Sequence, residues 1–412
     1  MLFFYRIAIR VYYFIIVLSS PFNVKAKQWL NGRKKLLHKI KTSVNPDDKK
    51  AWFHCASLGE FEQGRPLIES FREKYPDYKI LLTFYSPSGF EIRKNYEKAD
   101  YIFYLPLDTP ANAKKFLVLT KPDIVFFIKY EFWYYFIREI GKRKIPLYLV
   151  SGIFREKQIF FKWYGKSFRL LLKNFSHFFI QNKVSENLLR SIGFTNITIT
   201  GDTRFDRVYS IAKQSKNLPL IEKFKQNIPV LILGSSWQPD EELVVKYFNE
   251  TDIKFKLIIA PHEVTNENIN RIVKSINPNK IILKYSQAND SNIELSDVLI
   301  IDSIGLLSSL YKYGNIAYIG GGFGKGIHNI LEAATFGLLV VFGPNYKKFK
   351  EAVDLVNIGA AITINNFTDF KSTIDIFLNS PKQIEEKGNS SALYVNQNKG
   401  ATLNIIDSLR LV

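Results

Sequence analysis

The sequence has very little cysteine and histidine, which excludes several kinds of site. Cys55 is the single cysteine among 412 residues, so the chain can form neither a disulfide within itself nor a metal site built from cysteines. It has five histidines, and none follows another at a close metal-ligand spacing. We therefore expect a protein without a structural metal ion.

Acidic residues are also scarce relative to basic ones. The chain has 57 Lys and Arg against 38 Asp and Glu, a net charge of +19. A basic surface attracts nucleic acid, anionic lipid or phosphorylated substrates. No RNA- or DNA-binding motif is found. Residues 1–50 carry eleven Lys and Arg but two acids, after an apolar and aromatic opening. This order favours an anionic membrane surface as a partner. We expect no nucleic-acid partner.

The N-terminal segment is apolar from Leu2 to Leu18, apart from Arg6 and Arg10. A helix that crosses a membrane needs about 20 apolar residues, so this run is short for a span. An interfacial or shallowly inserted helix with a basic flank fits better. A cleaved signal peptide and a helix packed on the protein itself are the alternatives.

Beyond Pro46, short apolar runs alternate with helical stretches. This alternation predicts parallel sheets covered on both faces, in two doubly wound Rossmann-like domains that face a cleft. We expect a membrane-associated helix and basic flank at 1–45, one domain at 46–212, and a second at 213–412 whose last helix crosses back. The predicted strands cover 52–56, 79–84, 102–105, 124–128, 147–150, 178–181, 197–200, 230–234, 256–260, 298–301, 316–319 and 339–342.

The most distinctive motif is a glycine-rich loop after the predicted strand at 316–319. Five glycines fall within residues 320–326, and His328, Asn329 and Glu332 follow. Glycines let a backbone approach a ligand closely, and free N–H groups at a helix start favour a phosphate. The loop matches neither a Walker A motif nor a dinucleotide fingerprint. A tight turn with Asn329 as an ordinary helix cap is the alternative.

Three charged residues follow predicted strands at positions suited to chemistry. Glu60 stands in the first turn of a helix, where it can accept a proton or merely complement the helix dipole. Glu131 lies beside Trp133, as a charge-stabilising acid or as a solvated surface residue. Arg204 can face a phosphate, or pair with a neighbouring aspartate.

In order along the chain, these segments resemble the family of 3-deoxy-D-manno-octulosonic acid (Kdo) transferases of lipid A biosynthesis. The first-half matches are Ser57–Glu60 with S-x-G-E, Leu105–Asp108 with L-P-x-D, Glu131–Trp133 with E-L-W, and Thr200–Asp206 with T-G-N-x-K-F-D. The resemblance implies that Glu60 is the proton acceptor. It also implies that Glu131 and Arg204, which replaces a lysine, act on the transition state.

The second-half segments resemble the family's donor-binding motifs. They are Pro261-His262, Ile304-Gly305-Leu306, Gly320-Gly321, His328-Asn329-Ile330-Leu331-Glu332, and Phe342-Gly343-Pro344. The departures are His262 where the family has arginine, and Leu306 where it has glutamate. Lys129 also stands where many members have another glutamate.

The resemblance implies a GT-B glycosyltransferase on the cytoplasmic face of the inner membrane. Its donor would be CMP-Kdo, its acceptor a lipid A precursor (a tetraacyldisaccharide bisphosphate), and no cofactor or metal would be needed. The displacement would invert the sugar, with Glu60 as base. A GT-B transferase using another nucleotide sugar, or a non-catalytic lipid A precursor-binding protein, remains an alternative.

Overall fold

The computed structural model describes residues 2–409, which form two compact units. The first unit runs through Arg207 and takes up the chain again from Lys399, whereas the second comprises Val208–Asn398. Each unit contains a seven-stranded, wholly parallel sheet with helices between its strands. The doubly wound fold predicted from the alternating pattern is therefore confirmed.

The first sheet has the order β3-β2-β1-β4-β5-β6-β7. Its strands are β1 Lys50–Cys55, β2 Lys79–Phe84, β3 Tyr101–Tyr104, β4 Ile124–Ile128, β5 Leu147–Gly152, β6 His177–Ile180 and β7 Ile197–Ile199. The helices of this part of the chain are α1 Leu2–Ser19, α2 Val24–Arg33, α3 Leu36–Ser43, α4 Leu58–Lys74, α5 Pro87–Arg93, α6 Pro110–Thr120, α7 Tyr134–Lys142, α8 Lys166–Leu172, α9 Lys183–Ser191 and α10 Thr203–Lys213.

The second sheet has the order β10-β11-β9-β8-β12-β13-β14. Its strands are β8 Val230–Ser236, β9 Lys256–Pro261, β10 Ile282–Lys284, β11 Val298–Ile300, β12 Ile316–Ile319, β13 Leu339–Phe342 and β14 Ala361–Thr363. The remaining helices are α11 Pro219–Lys225, α12 Gln238–Glu250, α13 Asn266–Ser275, α14 Leu307–Leu310, α15 Leu331–Thr335, α16 Lys350–Asn357, α17 Phe367–Leu378, α18 Pro381–Asn398 and α19 Ala401–Ser408.

Both faces of the first sheet are buried, which explains the continuous apolar strands. Successive side chains of a strand point to opposite faces. In β1, Trp52 therefore packs in one core cluster, whereas Ala51, Phe53 and Cys55 pack in the other. Because every residue of β1 is buried, each polar side chain on it requires a partner inside the protein.

The order of each sheet fixes where a ligand can bind. In the first sheet the direction of winding reverses between β1 and β4, and in the second between β8 and β12. Ligands of doubly wound sheets bind outside the carboxyl ends of the strands at such a reversal. A ligand-binding site is therefore expected in the segments that follow these four strands.

Helix α1 lies on the first unit along one narrow stripe. Tyr5 donates a hydrogen bond to Asp108, Arg6 Nε donates to the Tyr135 hydroxyl at 2.6 Å, and Ile16 is buried. Most of its other side chains are exposed, including Phe4 at 71% and Phe14 at 63%. Within residues 2–409, no single helix has the length and apolarity of a membrane span. The pair Phe3–Ser19 and Val24–Arg33, bent by 119°, meets both criteria together.

The returning segment is held by one carboxylate of the first unit. Asp206, in the first turn of α10, accepts hydrogen bonds from the backbone N–H groups of Gly400 and Thr402. The Thr402 hydroxyl donates to the same carboxylate at 2.7 Å. Asp206 therefore fixes the start of α19 immediately after the chain re-enters the unit.

Candidate active site

Glu60 lies directly beyond the carboxyl end of β1, at the reversal point of the first sheet. It is the third residue of α4, and Ser57, which precedes the helix, donates a hydrogen bond to its carboxylate. The side chain is half-buried. A carboxylate in the first turn interacts favourably with the helix dipole, and its free lone pairs can accept a hydrogen bond or a proton from a bound group.

Glu131 follows β4, the strand that pairs with β1. The residue is 8% exposed, so the solvated surface glutamate considered above is excluded. Trp133 Nε1 donates to its Oε2 at 2.6 Å. Lys129, between β4 and Glu131, adopts a φ of 72°, a left-handed conformation that is unfavourable for a lysine. The sharp turn at Lys129 thus delivers Glu131 to the sheet edge.

The structure brings the three predicted catalytic residues into one part of the first unit. The charges of Glu60 and Glu131 both help to raise the pKa of the buried Cys55 thiol, after the larger effect of burial. Glu60 and Arg204 both act on the Tyr130 hydroxyl, whose pKa is raised mainly by burial. Glu60, Glu131 and Arg204 therefore share one electrostatic environment at the carboxyl edge of the sheet.

Arg204 is anchored to α4 through its neighbours. Its Nε donates to Asp202 Oδ2 at 2.8 Å. Arg204 therefore forms the ion pair with a neighbouring aspartate that was the alternative to a phosphate contact. Gln63 Nε2 donates to the other oxygen of Asp202 at 2.7 Å, and the Thr203 hydroxyl donates to the Gln63 carbonyl. Because Gln63 is one turn beyond Glu60, Glu60 and the Arg204 guanidinium are held by the same helix.

In the second unit, the glycine-rich loop is folded by its own amides. The N–H groups of Gly320, Gly321, Gly324, Gly326 and His328 all donate hydrogen bonds within the protein. These five amides are therefore already bonded within the protein, which removes His328 from the helix-start amides that were expected to bind a phosphate. The following helix is short: α15 begins at Leu331 and has five residues.

Close backbone packing explains the glycines of this loop. A Cβ on Gly320 would lie 2.3 Å from the Ser235 carbonyl oxygen, and one on Gly322 would lie 2.5 Å from the Gly343 nitrogen. Gly321 adopts a φ of +91° and donates its N–H to Asp240 at 2.8 Å. These contacts bring the loop against the end of β8, at the reversal point of the second sheet.

A stack of three rings borders this loop. The Trp237 and His262 rings are 4.6 Å apart at 29°, and the His262 and His328 rings are 4.3 Å apart at 22°. Trp237 Nε1 donates to His328 Nε2 at 3.0 Å. Burial, with a smaller effect of His262, lowers the pKa of His328 to about 4. His328 is therefore a neutral ring at physiological pH.

The ring stack lies at a cavity of about 490 Å³, large enough for part of a nucleotide. Its lining consists of Trp237, Pro239, Asp240, Gly321, Phe323, Gly324, Lys325, Gly326 and His328. Trp237 and Asp240 were not among the predicted site residues. The signal that could have found them is their position just after β8, the strand beside the glycine-loop strand.

The other predicted donor-contact residues have different surroundings. Ile304 is 90% exposed, Gly305 has a φ of +93°, and Leu306 precedes α14. Pro261 ends β9 just before His262, whereas Gly320 is packed beneath the loop. None of these residues lines the cavity.

Around the start of the helix that follows the loop, apolar side chains are buried and polar side chains reach solvent. Ile330 and Leu331 are buried in the core, which leaves only their backbone for a ligand. Asn329 is exposed, accepts the Leu331 N–H and donates to Glu332 at 3.0 Å. Of the residues between Asn329 and Glu332, these two side chains alone combine polarity with solvent access.

Comparison with known proteins points to one family. A family model described as 3-Deoxy-D-manno-octulosonic-acid transferase (kdotransferase) matches residues 30–207, a range that contains Glu60, Glu131 and Arg204. Transferases of that name from Rickettsia typhi, Haemophilus influenzae and Aquifex aeolicus are 27%, 25% and 28% identical to the chain. The alignments cover 87%, 89% and 82% of this chain and 78%, 87% and 88% of the relatives, respectively.

Solved structures that resemble the chain share its fold at low sequence identity. A UDP-GlcNAc 2-epimerase from Neisseria meningitidis is 17% identical, with a TM-score of 0.58 over 87% of this chain and 98% of that one. MurG from Acinetobacter baumannii is 12% identical, with a TM-score of 0.53 over the same shares. Both comparisons support the GT-B fold, which is built from two Rossmann-like domains.

Proposed function

Because the chain belongs to the family of 3-deoxy-D-manno-octulosonic acid (Kdo) transferases and is therefore a glycosyltransferase, we propose that it transfers Kdo from CMP-Kdo to a lipid A precursor. The acceptor is a tetraacyldisaccharide bisphosphate, and the reaction belongs to lipopolysaccharide core biosynthesis. The observation that carries this proposal is the pair Glu60 and Glu131, which follow the two adjacent strands where the first sheet reverses.

The proposed reaction is a single displacement at the anomeric carbon, with inversion. Glu60 takes the proton of an acceptor hydroxyl as its oxygen forms the new bond to the sugar. The bond between the sugar and the phosphate oxygen breaks in the same step, and CMP leaves with the electron pair. Glu131 and Arg204 supply charges that oppose those developing in the transition state.

The cavity beside the glycine-rich loop supports nucleotide binding by the second unit. Its stacked rings offer an aromatic face, and Lys325 adds a cation at the rim. Asn329 and Glu332 offer polar atoms to a ribose or to the sugar. His328 contributes a neutral ring rather than a charge, because its pKa is lowered to about 4 by burial.

A second cavity, of about 470 Å³, supports an acylated and phosphorylated acceptor. Its lining combines apolar side chains with cations: Tyr13, Trp29, Leu30, Arg33, Lys34, Lys35, Leu36, Leu37, His38, Pro106, Leu107 and Asn112. Trp29 Nε1 is buried there, with no hydrogen-bond partner among residues 2–409. An acyl chain matches the apolar part of this lining, and a phosphate matches its basic part.

The exposed apolar side chains of α1 support attachment to a membrane. We propose that α1 lies on the anionic cytoplasmic face of the inner membrane, with the basic residues of α2 and α3 near the headgroups. An acceptor that resides in the same bilayer then meets the enzyme by diffusion in two dimensions.

The test is incubation of the full chain with CMP-Kdo and the tetraacyldisaccharide bisphosphate, followed by mass measurement of the lipid. A gain of whole Kdo units is expected. A parallel reaction with UDP-GlcNAc examines the alternative that another nucleotide sugar is the donor. Transfer from UDP-GlcNAc without transfer from CMP-Kdo would overturn the donor assignment. Lipid binding without transfer from either donor would favour a non-catalytic role.

A further inference from the structure

Two polar side chains meet at the carboxyl edge of the first sheet, beside its reversal point. Tyr130 follows β4, and Arg155 follows β5, the strand that pairs with β4. Arg155 Nη2 donates to the Tyr130 hydroxyl oxygen at 3.2 Å, and the guanidinium carbon lies 5.5 Å from the centre of the Tyr130 ring. The contact thus joins two residues that have no part in the proposed reaction, next to Glu131, which has one.

The turn that carries Arg155 is fixed to the first unit. Phe154 is buried, and its N–H donates to Ser185 Oγ at 2.9 Å. The Arg155 N–H donates to Gln158 Oε1 at 3.0 Å, and the Gln158 N–H donates to the Arg155 carbonyl at 2.9 Å. The backbone of Arg155 is therefore held in place although its side chain is exposed, which lowers the entropy lost when that side chain binds a ligand.

The side chains around Tyr130 have more donors than acceptors. The Tyr130 oxygen accepts from Arg155, so its own proton remains to be donated, and no acceptor for it is found among residues 2–409. In the same part of the chain, Arg155 has no carboxylate partner, and its Nε and Nη1 atoms make no hydrogen bond. Lys129 Nζ lies 5.2 Å from the centre of the Tyr130 ring, again without a carboxylate among the described residues. Three donor groups without an anionic partner therefore lie around one tyrosine ring.

The charges that act on the Tyr130 hydroxyl identify Arg155 as the dominant one. Burial raises the pKa of this hydroxyl, and Arg155, which lowers it, has the largest effect of any charge. Smaller effects come from Arg204, Asp202 and Glu60. Asp202 is already paired with Arg204. The strongest charge on the hydroxyl is therefore a cation without a counter-ion in the described chain.

We propose that the Tyr130 hydroxyl and the Arg155 guanidinium, with the Lys129 ammonium beside them, bind an oxyanion of a substrate. Carboxylates and phosphates both accept strong hydrogen bonds from a guanidinium and a hydroxyl. The source of the anion rests on the proposed function. The transferred sugar supplies a carboxylate, because Kdo is an octulosonic acid, whereas the proposed acceptor supplies a phosphate.

A binding test that needs no transfer reaction uses two probes, free Kdo and inorganic phosphate. In ¹⁵N-labelled protein, the Arg155 Nε–H resonance is identified by its loss in Arg155→Lys. We expect this resonance to shift as one of the probes is added. The shift at the same probe concentration should be smaller in Tyr130→Phe, which lacks only the hydroxyl. No shift with either probe, or an equal shift in Tyr130→Phe, would overturn the proposal.

The kinetic test identifies the source of the anion. Arg155→Gln and Tyr130→Phe should each raise one KM about 10- to 100-fold, the loss expected for one hydrogen bond to a charged group, with a smaller change in kcat. A higher KM for CMP-Kdo identifies the sugar carboxylate, and a higher KM for the acceptor identifies its phosphate. Lys157→Gln is the control, because it removes an exposed cation from the same turn, and both KM values should stay within about twofold.

The outcomes separate this site from the proposed function. A wild-type chain that transfers no Kdo, but whose Arg155 resonance responds to a probe, contradicts the proposed function and keeps the site. An active wild-type chain whose Arg155→Gln and Tyr130→Phe variants keep both KM values contradicts the site. An equal rise of KM in Lys157→Gln also contradicts it, since any cation of the turn would then have the same effect.

Discussion

The Ser57 hydroxyl donates a hydrogen bond to the Glu60 carboxylate, three residues later in the first turn of α4. This contact orients the carboxylate and occupies only part of its acceptor capacity, so the remaining lone pairs can receive a proton. Replacing Glu60 by glutamine preserves the shape and removes the basicity. We expect Glu60→Gln to lower kcat by about 100- to 10,000-fold, as for loss of a general base.

The matched control for this change is Glu73→Gln, an exposed acid near the end of the same helix. It should transfer Kdo at the wild-type rate. CMP binding, measured by calorimetry, should be the same in all three proteins, because the cavity proposed to bind the nucleotide is built from the second unit. Near-normal turnover by Glu60→Gln would contradict its assignment as the base.

The glycine-rich loop provides a pair of substitutions with opposite expectations. An added Cβ at Gly320 meets backbone atoms of Ser235 and Ser236 that cannot move aside, whereas at Gly324 the nearest atom is 3.7 Å away. Gly320→Ala should destabilise the second unit by about 1–3 kcal/mol and abolish CMP binding. Gly324→Ala should change either property little. Thermal unfolding measures the change in stability, and calorimetry measures CMP binding. Equal effects of the two substitutions would contradict the close packing described for Gly320.

The exposed face of α1 can be tested without deleting the helix. Removing residues 1–20 would also remove the Tyr5 contact to Asp108, so substitutions are the cleaner test. Phe4→Ser with Phe14→Ser should weaken partition into phosphatidylglycerol vesicles at least about tenfold, since each buried Phe contributes about 1.5–3 kcal/mol. Ile376→Ser, an exposed apolar residue on α17, is the control and should bind as wild type. Sedimentation of vesicles gives the partition, and unchanged binding of the double variant would assign attachment to other surfaces.

His328 gives the second unit a defined response to acid. Its pKa is about 4 in the folded chain, lowered by burial, against an ordinary value of 6.5. Between these values the unfolded state binds more protons, so the contribution of His328 to stability is complete above about pH 6.5 and is lost as the pH falls toward 4. His328→Gln should flatten this part of the stability curve. A proton NMR titration should place the His328 midpoint near pH 4, and a midpoint near 6.5 would contradict its burial.

Much of the fold was predictable, because buried parallel strands are continuous apolar runs. The short edge strands β10 and β14 were missed, since Ile282–Lys284 is only half-buried and Ala361–Thr363 is three residues long. Glu60 and Glu131 could be recognised as residues that follow strands. Their proximity depends on the pairing of β1 with β4. Neither segment of sequence alone predicts that these two strands are neighbours in the sheet.

The ring stack was beyond local prediction for the same reason. Trp237, His262 and His328 follow β8, β9 and β12, and only the assembled sheet brings these three strand ends together. The bonding of the loop amides could not be predicted for another reason. The sequence shows that glycines are present, but not that Asp240 and neighbouring carbonyls accept their N–H groups.

The second unit is inserted into the sequence of the first, and the bonds from Gly400 and Thr402 to Asp206 hold the two ends of the first unit's interrupted chain together. The coding sequence of the second unit can therefore be removed as one segment. The chain leaves the first unit after Arg207 and re-enters it at Lys399, and the residues beside these two points share one carboxylate. A linker of a few residues between them would close the first unit into a single polypeptide that keeps Glu60, Glu131, Arg204 and α19. The protein can thus be divided into its first and second units, each with its complete sheet.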